Sequence, residues 1–394
     1  MFTRKEFEEI ELEYLASYAM KSRQSRGRKY HEEEHLYRTC FQRDRDRVIH
    51  SSAFRRLEYK TQVFVNHEGD YYRTRLTHTL EVAQVARSIA RALRLNEDLT
   101  EAIALAHDLG HTPFGHSGEE ALHNLMREYG ESFEHNRQGL RVVDELEKKY
   151  PGFPGLNLSW EVREGIIKHK TPYDQPDVKE FNPDESPTLE SQVVNIADEI
   201  AYTNHDLDDG FTAGYINEDE LSDISLWKEI YGIVKKENPL LNRETWKFQA
   251  AKFLINKQVS DLITNTDKNL AQFKIKDIED VRKAPIIVQF SAQMEEENAC
   301  LKKFLLEHLY HHHKVLRMVD KSRRFIKELF RVYIKFPEQL PPDVQERIKN
   351  VNVSKGSPEE KSEIARIICD YIAGMTDRSV QDEYIKLFMP YEKV

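Results

Sequence analysis

The sequence predicts an all-α protein. Apolar residues recur at three- and four-residue steps through most of the 394-residue chain, which is the pattern of helices with one buried face. No two neighbouring segments alternate apolar and polar residues as paired strands do. Only 15 glycines and 14 prolines interrupt the chain, which excludes fibrous and loop-rich classes. With 39% hydrophobic and 10% aromatic residues, the chain can bury a large core.

Charge and cysteine content restrict the compartment and the partners. The net charge is −10, so bulk attraction to nucleic acid is not expected, although residues 21–75 carry 14 Lys and Arg against 8 Asp and Glu. Three widely spaced cysteines cannot build a disulfide framework or a cysteine-based zinc site. No apolar run reaches the roughly 18 residues of a membrane span, and acidic residues interrupt the first stretch where a signal peptide would be apolar. A cytoplasmic protein is therefore expected.

The first half of the chain can be divided into elements from its apolar pattern. Residues 1–49 are predicted to form a polar, basic arm with one short helix at 4–19. An apolar stripe predicts a buried helix over 76–95. Asn96 can cap the next helix, which is expected to end at Gly110.

Turn residues and start signals delimit the elements that follow. Helices are predicted over 117–129, 134–149 and 159–169, and a longer one of about five turns between Ser186 and Gly210. The remainder is mostly amphipathic helix. The predicted domains are the arm at 1–49, a core at 50–215 and a C-terminal helical lobe at 216–394.

Histidines are concentrated beside the two apolar helices, with six of the 16 between residues 78 and 135. A single histidine on an apolar helix is most often a core residue. The run at 107–119 is different because it concentrates potential ligands and proton carriers, namely His107, Asp108, His111, His116 and Glu119. A buried carboxylate is unfavourable unless it is paired or coordinating, and a divalent cation removes that penalty.

Imidazole and carboxylate groups together form a borderline-to-hard ligand set. Such a set suits Mn²⁺, Fe²⁺, Zn²⁺, Ni²⁺ or Mg²⁺, and mixed sites usually keep positions open for water and a substrate oxygen. Completing the set requires a carboxylate from a distant helix. Asp198 is the best placed because it lies in a mostly apolar helical turn. Asp206 and Asp208 lie nearer the end of that helix and are expected to be solvated.

The order of these residues resembles a known family. His78, the adjacent His107 and Asp108, and the later Asp198 are similar to the ligand pattern of the HD superfamily of metal-dependent phosphohydrolases. Longer blocks resemble one branch, the deoxynucleoside triphosphate triphosphohydrolases, and within it the bacterial dGTPase-like proteins. These blocks are HSSAFRRLEYKTQVF (50–64), RTRLTHTLEVAQVARSIA (73–90), AHDLGHTPFGHSGEEAL (106–122), FEHNRQ (133–138), ADEIAY (197–202) and AGMTDR (373–378).

The resemblance spans nearly the whole chain, and it implies both a fold and a reaction. The fold is an HD-domain helical core with an additional C-terminal helical lobe. The reaction is cleavage between the α-phosphorus and the 5′-oxygen of a dNTP, which gives a deoxynucleoside and tripolyphosphate. The implied cofactor is one divalent metal ion, with Mn or Mg favoured over Fe, Ni or Zn, held by His78, His107, Asp108 and Asp198.

The resemblance also implies four catalytic residues. His116 and Glu119 would form the acid and base pair, with His111 and His135 against the phosphates. The three-residue spacing of His116 and Glu119 supports their pairing independently, since a carboxylate one turn away can orient an imidazole. A histidine can give the poor 5′-alkoxide leaving group its proton near neutral pH.

Substrate contacts are implied at further positions. A triphosphate needs local cations in an acidic protein, and Arg75 matches the family's phosphate-binding arginine. Tyr202 is expected against phosphate. Gln62 and Val63 match positions along the deoxyribose, where a close side chain would exclude a 2′-hydroxyl. Asp206 is expected to meet the 3′-hydroxyl.

One position departs from the family pattern. In the animal antiviral members the residue after the metal aspartate is a lysine that touches phosphate, whereas Glu199 stands here. Lys168 and His169 are predicted to substitute for it. The partners implied are a dNTP substrate, a dNTP activator and further copies of the chain in a tetramer or hexamer, with 21–47 as a regulatory arm.

Two other function classes stay open at this point. One is a different HD phosphohydrolase, acting as a nucleotide phosphodiesterase or nucleotidase. The other is a non-catalytic sensor of nucleotide or single-stranded nucleic acid. The phosphate product of the reaction distinguishes these two classes from a dNTP triphosphohydrolase.

Overall fold

The computed structural model describes residues 1–62, 73–169 and 180–390. These residues form α-helices joined by turns, and the β contacts among them are three isolated bridges, so the all-α prediction is confirmed. Within the same ranges, no helix combines the length and apolar content needed to cross a membrane.

Seventeen α-helices lie within the described residues. In chain order they are α1 (Arg4–Tyr14), α2 (Cys40–Ile49), α3 (Ser52–Arg56), α4 (Arg75–Ala92), α5 (Glu97–Ala106), α6 (His116–Arg127), α7 (His135–Arg141), α8 (Trp160–Ile167), α9 (Leu189–Thr212), α10 (Ser225–Glu237), α11 (Arg243–Gln272), α12 (Ile278–Lys283), α13 (Ala292–Leu305), α14 (His313–Lys335), α15 (Pro342–Lys349), α16 (Pro358–Ala373) and α17 (Asp377–Phe388).

The chain divides into two compact units. The first unit combines residues 1–49, 77–106 and 157–315. Its central helix is α5, which contacts α2, α8 and α9 and buries seven of its ten residues. Gly165 allows α8 to approach closely, because a Cβ there would lie 2.8 Å from Ile103 atoms. The long helix α9 packs against α5, α11 and α13, and this places its middle turns, including Asp198, in the buried part of the unit.

The second unit combines residues 50–76, 107–156 and 316–394. Its core is an apolar cluster in which α6 meets α14 and α16, with Leu122, Met126, Phe330, Ile368 and Cys369 among its members. The buried residues of α14 in this unit recur at three- and four-residue steps, so one face of the helix enters the core. This core supports the start of α6, where the predicted acid and base residues lie.

The amino-terminal segment contains more helix than the sequence predicts. Helix α1 ends at Tyr14 rather than at residue 19, and α2 was not predicted. Few apolar residues mark α2, because arginines and aspartates alternate through it. A buried ion pair anchors it instead, with Arg28 Nη1 2.5 Å from Asp44 Oδ1. Since this partner is remote in sequence, periodicity could not reveal the helix.

The predicted cap of α5 is confirmed, and a buried carboxylate adjoins it. Leu99 N donates to Asn96 Oδ1 at 3.1 Å. Asn96 N and Met20 N each donate at 3.0 Å to Oε1 of Glu190, which has no exposed surface. Burial raises the pKa of Glu190 from 4.5 to about 7, although these backbone hydrogen bonds oppose the shift.

This buried carboxylate should make the stability of the protein depend on pH. The unfolded chain releases the Glu190 proton near pH 4.5 and the folded protein near pH 7. The stabilisation from the protonated group is therefore full below pH 4.5 and is lost as the pH rises to about 7, at roughly 1.4 kcal/mol per pH unit and about 3 kcal/mol in all. Denaturant titrations of the wild type and Glu190→Gln between pH 4.5 and 7.5 measure the difference in slope. Parallel curves would contradict the prediction.

Candidate active site

In the first unit, α4 and α9 bring two of the predicted metal ligands together. His78 lies in the first turn of α4 and Asp198 in the middle of α9. His78 Nε2 lies 2.9 Å from Asp198 Oδ1, and the two residues are 1% and 8% exposed. Two neighbouring ligands of one ion at about 2.1 Å each are roughly 3 Å apart, so this spacing suits a shared cation.

A chain of side chains supports the ring of His78 from behind. Glu81 Oε2 lies 2.5 Å from His205 Nε2, and His205 Nδ1 lies 3.3 Å from His78 Nδ1. An ionised carboxylate only accepts, so His205 Nε2 donates to it. If both rings are neutral, His205 accepts at Nδ1 from His78 Nδ1. In that tautomer the lone pair of His78 Nε2 faces the Asp198 carboxylate, an arrangement that a metal ion between the two atoms would satisfy.

His169 also reaches this pair. Its Nε2 lies 3.4 Å from Asp198 Oδ2, and its Nδ1 lies 2.5 Å from Asn195 Oδ1. From its sequence position, His169 is predicted only to help Lys168 replace the phosphate-contacting lysine, whereas the structure places it beside Asp198. Lys168 is engaged differently: its Nζ lies 3.0 Å from Glu164 Oε1 and donates to the carbonyls of Asn182 and Glu185.

In the second unit, Asp108 follows the end of α5 and lies beside an arginine and two imidazoles. Arg75 Nη1 donates to its Oδ1 at 3.0 Å, while His111 Nε2 and His107 Nε2 lie 3.1 and 3.4 Å from the same oxygen. Asp108 is 2% exposed. Burial opposes ionisation, but His107, Arg75 and His111 hold the pKa of the Asp108 carboxyl well below its usual range. The second unit thus holds an ionised carboxylate with two imidazoles, a cluster suited to a divalent cation.

The predicted catalytic residues of the second unit lie on and around the start of α6. Glu119 Oε1 accepts from His135 N at 2.9 Å and lies 3.0 Å from His135 Nδ1. His116 Nδ1 is 3.7 Å from Glu119 Oε2. The rings of His111 and His135 stack with centroids 4.1 Å apart. The ligand atoms of His111, Glu119 and His135 all lie within 4.8 Å of one another.

Electrostatics assigns these groups different charge states. Burial alone would raise the pKa of Glu119, but the neighbouring imidazoles of His116 and His135 hold that pKa well below its usual range, so Glu119 is an anion. Burial, Arg75 and His135 hold the pKa of His111 well below its usual range, which keeps that imidazole neutral. The side chain of His116 is 72% exposed and can exchange protons with solvent.

A left-handed turn directs His116 outward. Phe114 and Gly115 have φ angles of 61° and 56°, and α6 begins at the next residue. A further close contact fixes the start of the helix, because a Cβ on Gly118 would lie 2.0 Å from the Pro113 carbonyl oxygen. The glycines of this motif therefore set the conformation of the loop that carries His116.

The residues predicted to bind the substrate lie in different surroundings. Gln62 lies at the end of a described segment, and Val63 lies outside the described residues. Asp206 is 3% exposed and accepts from Tyr310 Oη, which corrects the expectation that it would be solvated. Burial, with Glu199 and Asp198 adding to it, raises the pKa of Tyr202, so its hydroxyl remains a donor.

The departure at Glu199 has a partner that the sequence did not reveal. Lys302 Nζ on α13 lies 2.5 Å from Glu199 Oε1. The two residues are about a hundred positions apart, and no local pattern connects them. A lysine is thus present beside this position, although it comes from another helix.

The all-α fold and these His, Asp and Glu clusters are those expected of an HD-domain phosphohydrolase, and two family models match the chain. The family model of the HD domain matches residues 75–203, and that of the phosphohydrolase-associated domain matches residues 288–386. HD domains bind divalent metals, and the His and Asp cluster described above could hold one.

The sequences of close relatives show to which branch of the HD-domain proteins the chain belongs. The chain is 54% identical to a deoxyguanosinetriphosphate triphosphohydrolase-like protein of Geobacter sulfurreducens, over 96% of both chains. It is 51% identical to the protein of that name in Geobacter metallireducens, over 96% of both, and 50% identical to the one in Ralstonia pickettii, over 95% of this chain and 94% of that one. The chain belongs to the deoxyguanosinetriphosphate triphosphohydrolase-like family of HD-domain proteins.

The side chains behind His78 lead to a prediction about cation binding. Removing the acceptor in Glu81→Ala, or both ring nitrogens in His205→Phe, frees His78 to turn or to change tautomer, and loss of such support typically lowers metal affinity about 10- to 100-fold. Calorimetric titration of the protein with Mn²⁺ measures the change. Gln84→Ala, an exposed position one turn along α4, is the matched control and should bind Mn²⁺ as the wild type does. Equal affinity in His205→Phe and wild type would exclude this supporting role.

Proposed function

We propose that this phosphohydrolase is a metal-dependent dNTP triphosphohydrolase that releases a deoxynucleoside and tripolyphosphate, with dGTP the first substrate to test. The observation that carries the proposal is the second-unit cluster, in which Arg75, His107 and His111 surround the Asp108 carboxylate and His135 contacts Glu119, at the positions the family motif gives. The names of relatives at about half identity support the same reaction.

Four residues would hold the divalent ion: His78, His107, Asp108 and Asp198. When bound, the ion would polarise the α-phosphoryl group. The donor chemistry fits, since the set consists of two contacting pairs of an imidazole and a carboxylate, His78 with Asp198 and His107 with Asp108. Mn²⁺ and Mg²⁺ are the first ions to test.

The residues around this set would bind the substrate and move the proton. Arg75 would receive phosphate charge, Tyr202 would donate to a phosphate oxygen, and Lys302 would supply the cation that Glu199 does not. As water bonds to the α-phosphorus and the bond to the 5′-oxygen breaks, His116 would give that oxygen its proton. Glu119 would keep the imidazole oriented.

The test is product analysis. Purified protein is incubated with each dNTP, alone and in pairs, under Mn²⁺ or Mg²⁺, and the phosphate products are separated by ion exchange. Tripolyphosphate with deoxynucleoside supports the proposal. Orthophosphate or pyrophosphate would instead identify a different HD phosphohydrolase, and binding without turnover would identify a sensor.

Activation and assembly belong to the same proposal. A second dNTP that accelerates hydrolysis of the first would identify an activator, and the paired incubations measure this directly. Light scattering with and without dNTP gives the mass, for which a tetramer or hexamer is expected. A monomer at all concentrations would contradict the assembly.

A further inference from the structure

Asp377 is a buried acid at the start of α17 whose carboxylate does not serve its own helix. It is 4% exposed. Acids in a first turn usually face the helix N–H groups. Here Thr376 is the cap, and its side chain accepts from Ser379 N. The Asp377 carboxylate is directed to other parts of the second unit.

Its two oxygens accept hydrogen bonds from two remote segments. Oδ1 accepts from Phe114 N at 2.8 Å. Oδ2 accepts from Thr61 N at 2.8 Å and also from Thr61 Oγ1. All three partners are donors, so an ionised carboxylate matches them and an amide in its place would put an NH₂ group against a donor.

These two segments carry predicted site residues. Thr61 precedes Gln62, and its antiparallel bridge to Thr74 lies directly before Arg75. Phe114 has a positive φ of 61° and leads through Gly115 into His116. A non-glycine residue in this conformation is unfavourable by about 1–2 kcal/mol and needs an external restraint. The hydrogen bond to Asp377 is such a restraint.

A second contact joins the same regions. Lys60 Nζ donates to the carbonyl of His111 at 2.5 Å and to the carbonyl of Ala373 at 2.9 Å. We call residues 107–116 the histidine loop. The stretch from Ala373 to Asp377 therefore holds this loop at two points, at Phe114 through Asp377 and at His111 through Lys60. This stretch lies within the match to the phosphohydrolase-associated domain, so that domain contributes directly to the geometry of the loop.

We propose that Asp377 is a positioning residue that holds the Phe114–His116 turn in register with the Thr61–Gln62 segment, so that the proton donor and the sugar-facing side chain act on one substrate. The proposal rests on the proposed function for the role of His116. If Asp377 only stabilised the fold, its substitution would lower only the amount of folded protein. A positioning role requires in addition that the substitution changes the loop locally and lowers kcat per folded molecule.

The main variant is Asp377→Asn, and Asp370→Asn is its matched control. Asp370 is also 4% exposed and lies in the same C-terminal region, but it accepts from Arg141, Arg347 and Gln138. Hydrogen exchange, which needs no activity, should become faster in peptides covering 61–62 and 111–116 in Asp377→Asn only. Because a displacement of about 1 Å can lower a rate about 100-fold, kcat should fall by about that factor with a smaller change in KM, while Asp370→Asn keeps kcat within about threefold.

Thr61→Val covers the case in which Asp377→Asn does not fold. It removes one of the three donors at nearly constant volume, so faster exchange at 61–62 and a kcat loss of about fivefold are expected. Unchanged exchange at 111–116 in Asp377→Asn, or equal kcat in the two aspartate variants, would overturn the positioning role. Hydrogen exchange does not depend on which phosphate product the protein releases. The exchange result therefore tests the positioning contact of Asp377 even if the wild type releases orthophosphate.

Discussion

Asp108→Ala should eliminate hydrolysis, with a fall in kcat/KM of at least about 1000-fold, or roughly 4 kcal/mol of transition-state stabilisation. The carboxylate is a predicted metal ligand and is 2% exposed. Its removal also leaves Arg75 opposite an empty space, and breaking a buried pair typically destabilises a protein by about 3–5 kcal/mol. Mn²⁺ titration, steady-state kinetics and thermal unfolding of the same preparation separate these effects.

Asp370→Ala is the control for the stability effect of that change. Its carboxylate is 1% exposed and 2.7 Å from Nη2 of Arg141, an arginine that is only partly buried, so its loss also leaves an arginine without its carboxylate partner. Both variants should lose stability, but Asp370→Ala should bind Mn²⁺ and hydrolyse substrate as the wild type does at temperatures where it is folded. Wild-type Mn²⁺ affinity and turnover in Asp108→Ala would refute the assignment of the ligand.

Gly110→Ala should be the most damaging single methyl addition in the histidine loop. A Cβ at Gly110 would lie 2.0 Å from the carbonyl oxygen of His135 and 2.2 Å from Gly139 N. Backbone cannot yield as a flexible side chain does, so α7 must move away from the loop. Destabilisation of about 3 kcal/mol or more is expected, together with a large loss of kcat, because the stacked rings of His111 and His135 separate.

Gly152→Ala tests whether the effect is specific to that contact. No described atom lies within 4 Å of a Cβ built on Gly152, which is in the same unit and has an ordinary backbone conformation. Its unfolding midpoint should stay within a few degrees of the wild type, or rise because alanine restricts the unfolded chain. Differential scanning calorimetry of both variants gives the comparison, and an equally stable Gly110→Ala would show that α7 adapts without strain.

The parts of the fold that the sequence predicts well are those encoded locally. The apolar stripe of α4, the Asn96 cap and the glycine-rich start of α6 each depend on residues within a few positions of one another. The seven-residue α7 is shorter than the predicted helix over 134–149, because the backbone continues as a π turn over Val142–Leu146. Periodicity does not distinguish such a turn from a continued helix.

The site residues that the sequence missed act through long-range contacts. Lys302 reaches Glu199, Tyr310 reaches Asp206 and Asp377 reaches Phe114, each from a remote helix. His205 is on the same helix as Asp198, but its role depends on Glu81 from α4. None of these pairings alters a local pattern, so only coordinates could bring them together. The convergence of the four predicted metal ligands stays a prediction.

The dispersed segments of the second unit have a consequence during synthesis. Its third segment begins at Leu316, and the Asp377 carboxylate that restrains Phe114 comes later still. A ribosome that has translated the whole HD-domain match to residue 203 has therefore not yet made the residues that hold the histidine loop. A nascent or prematurely terminated polypeptide can present every motif histidine and yet lack an ordered loop, so phosphohydrolase activity that depends on this loop would arise only after residue 377 has been translated.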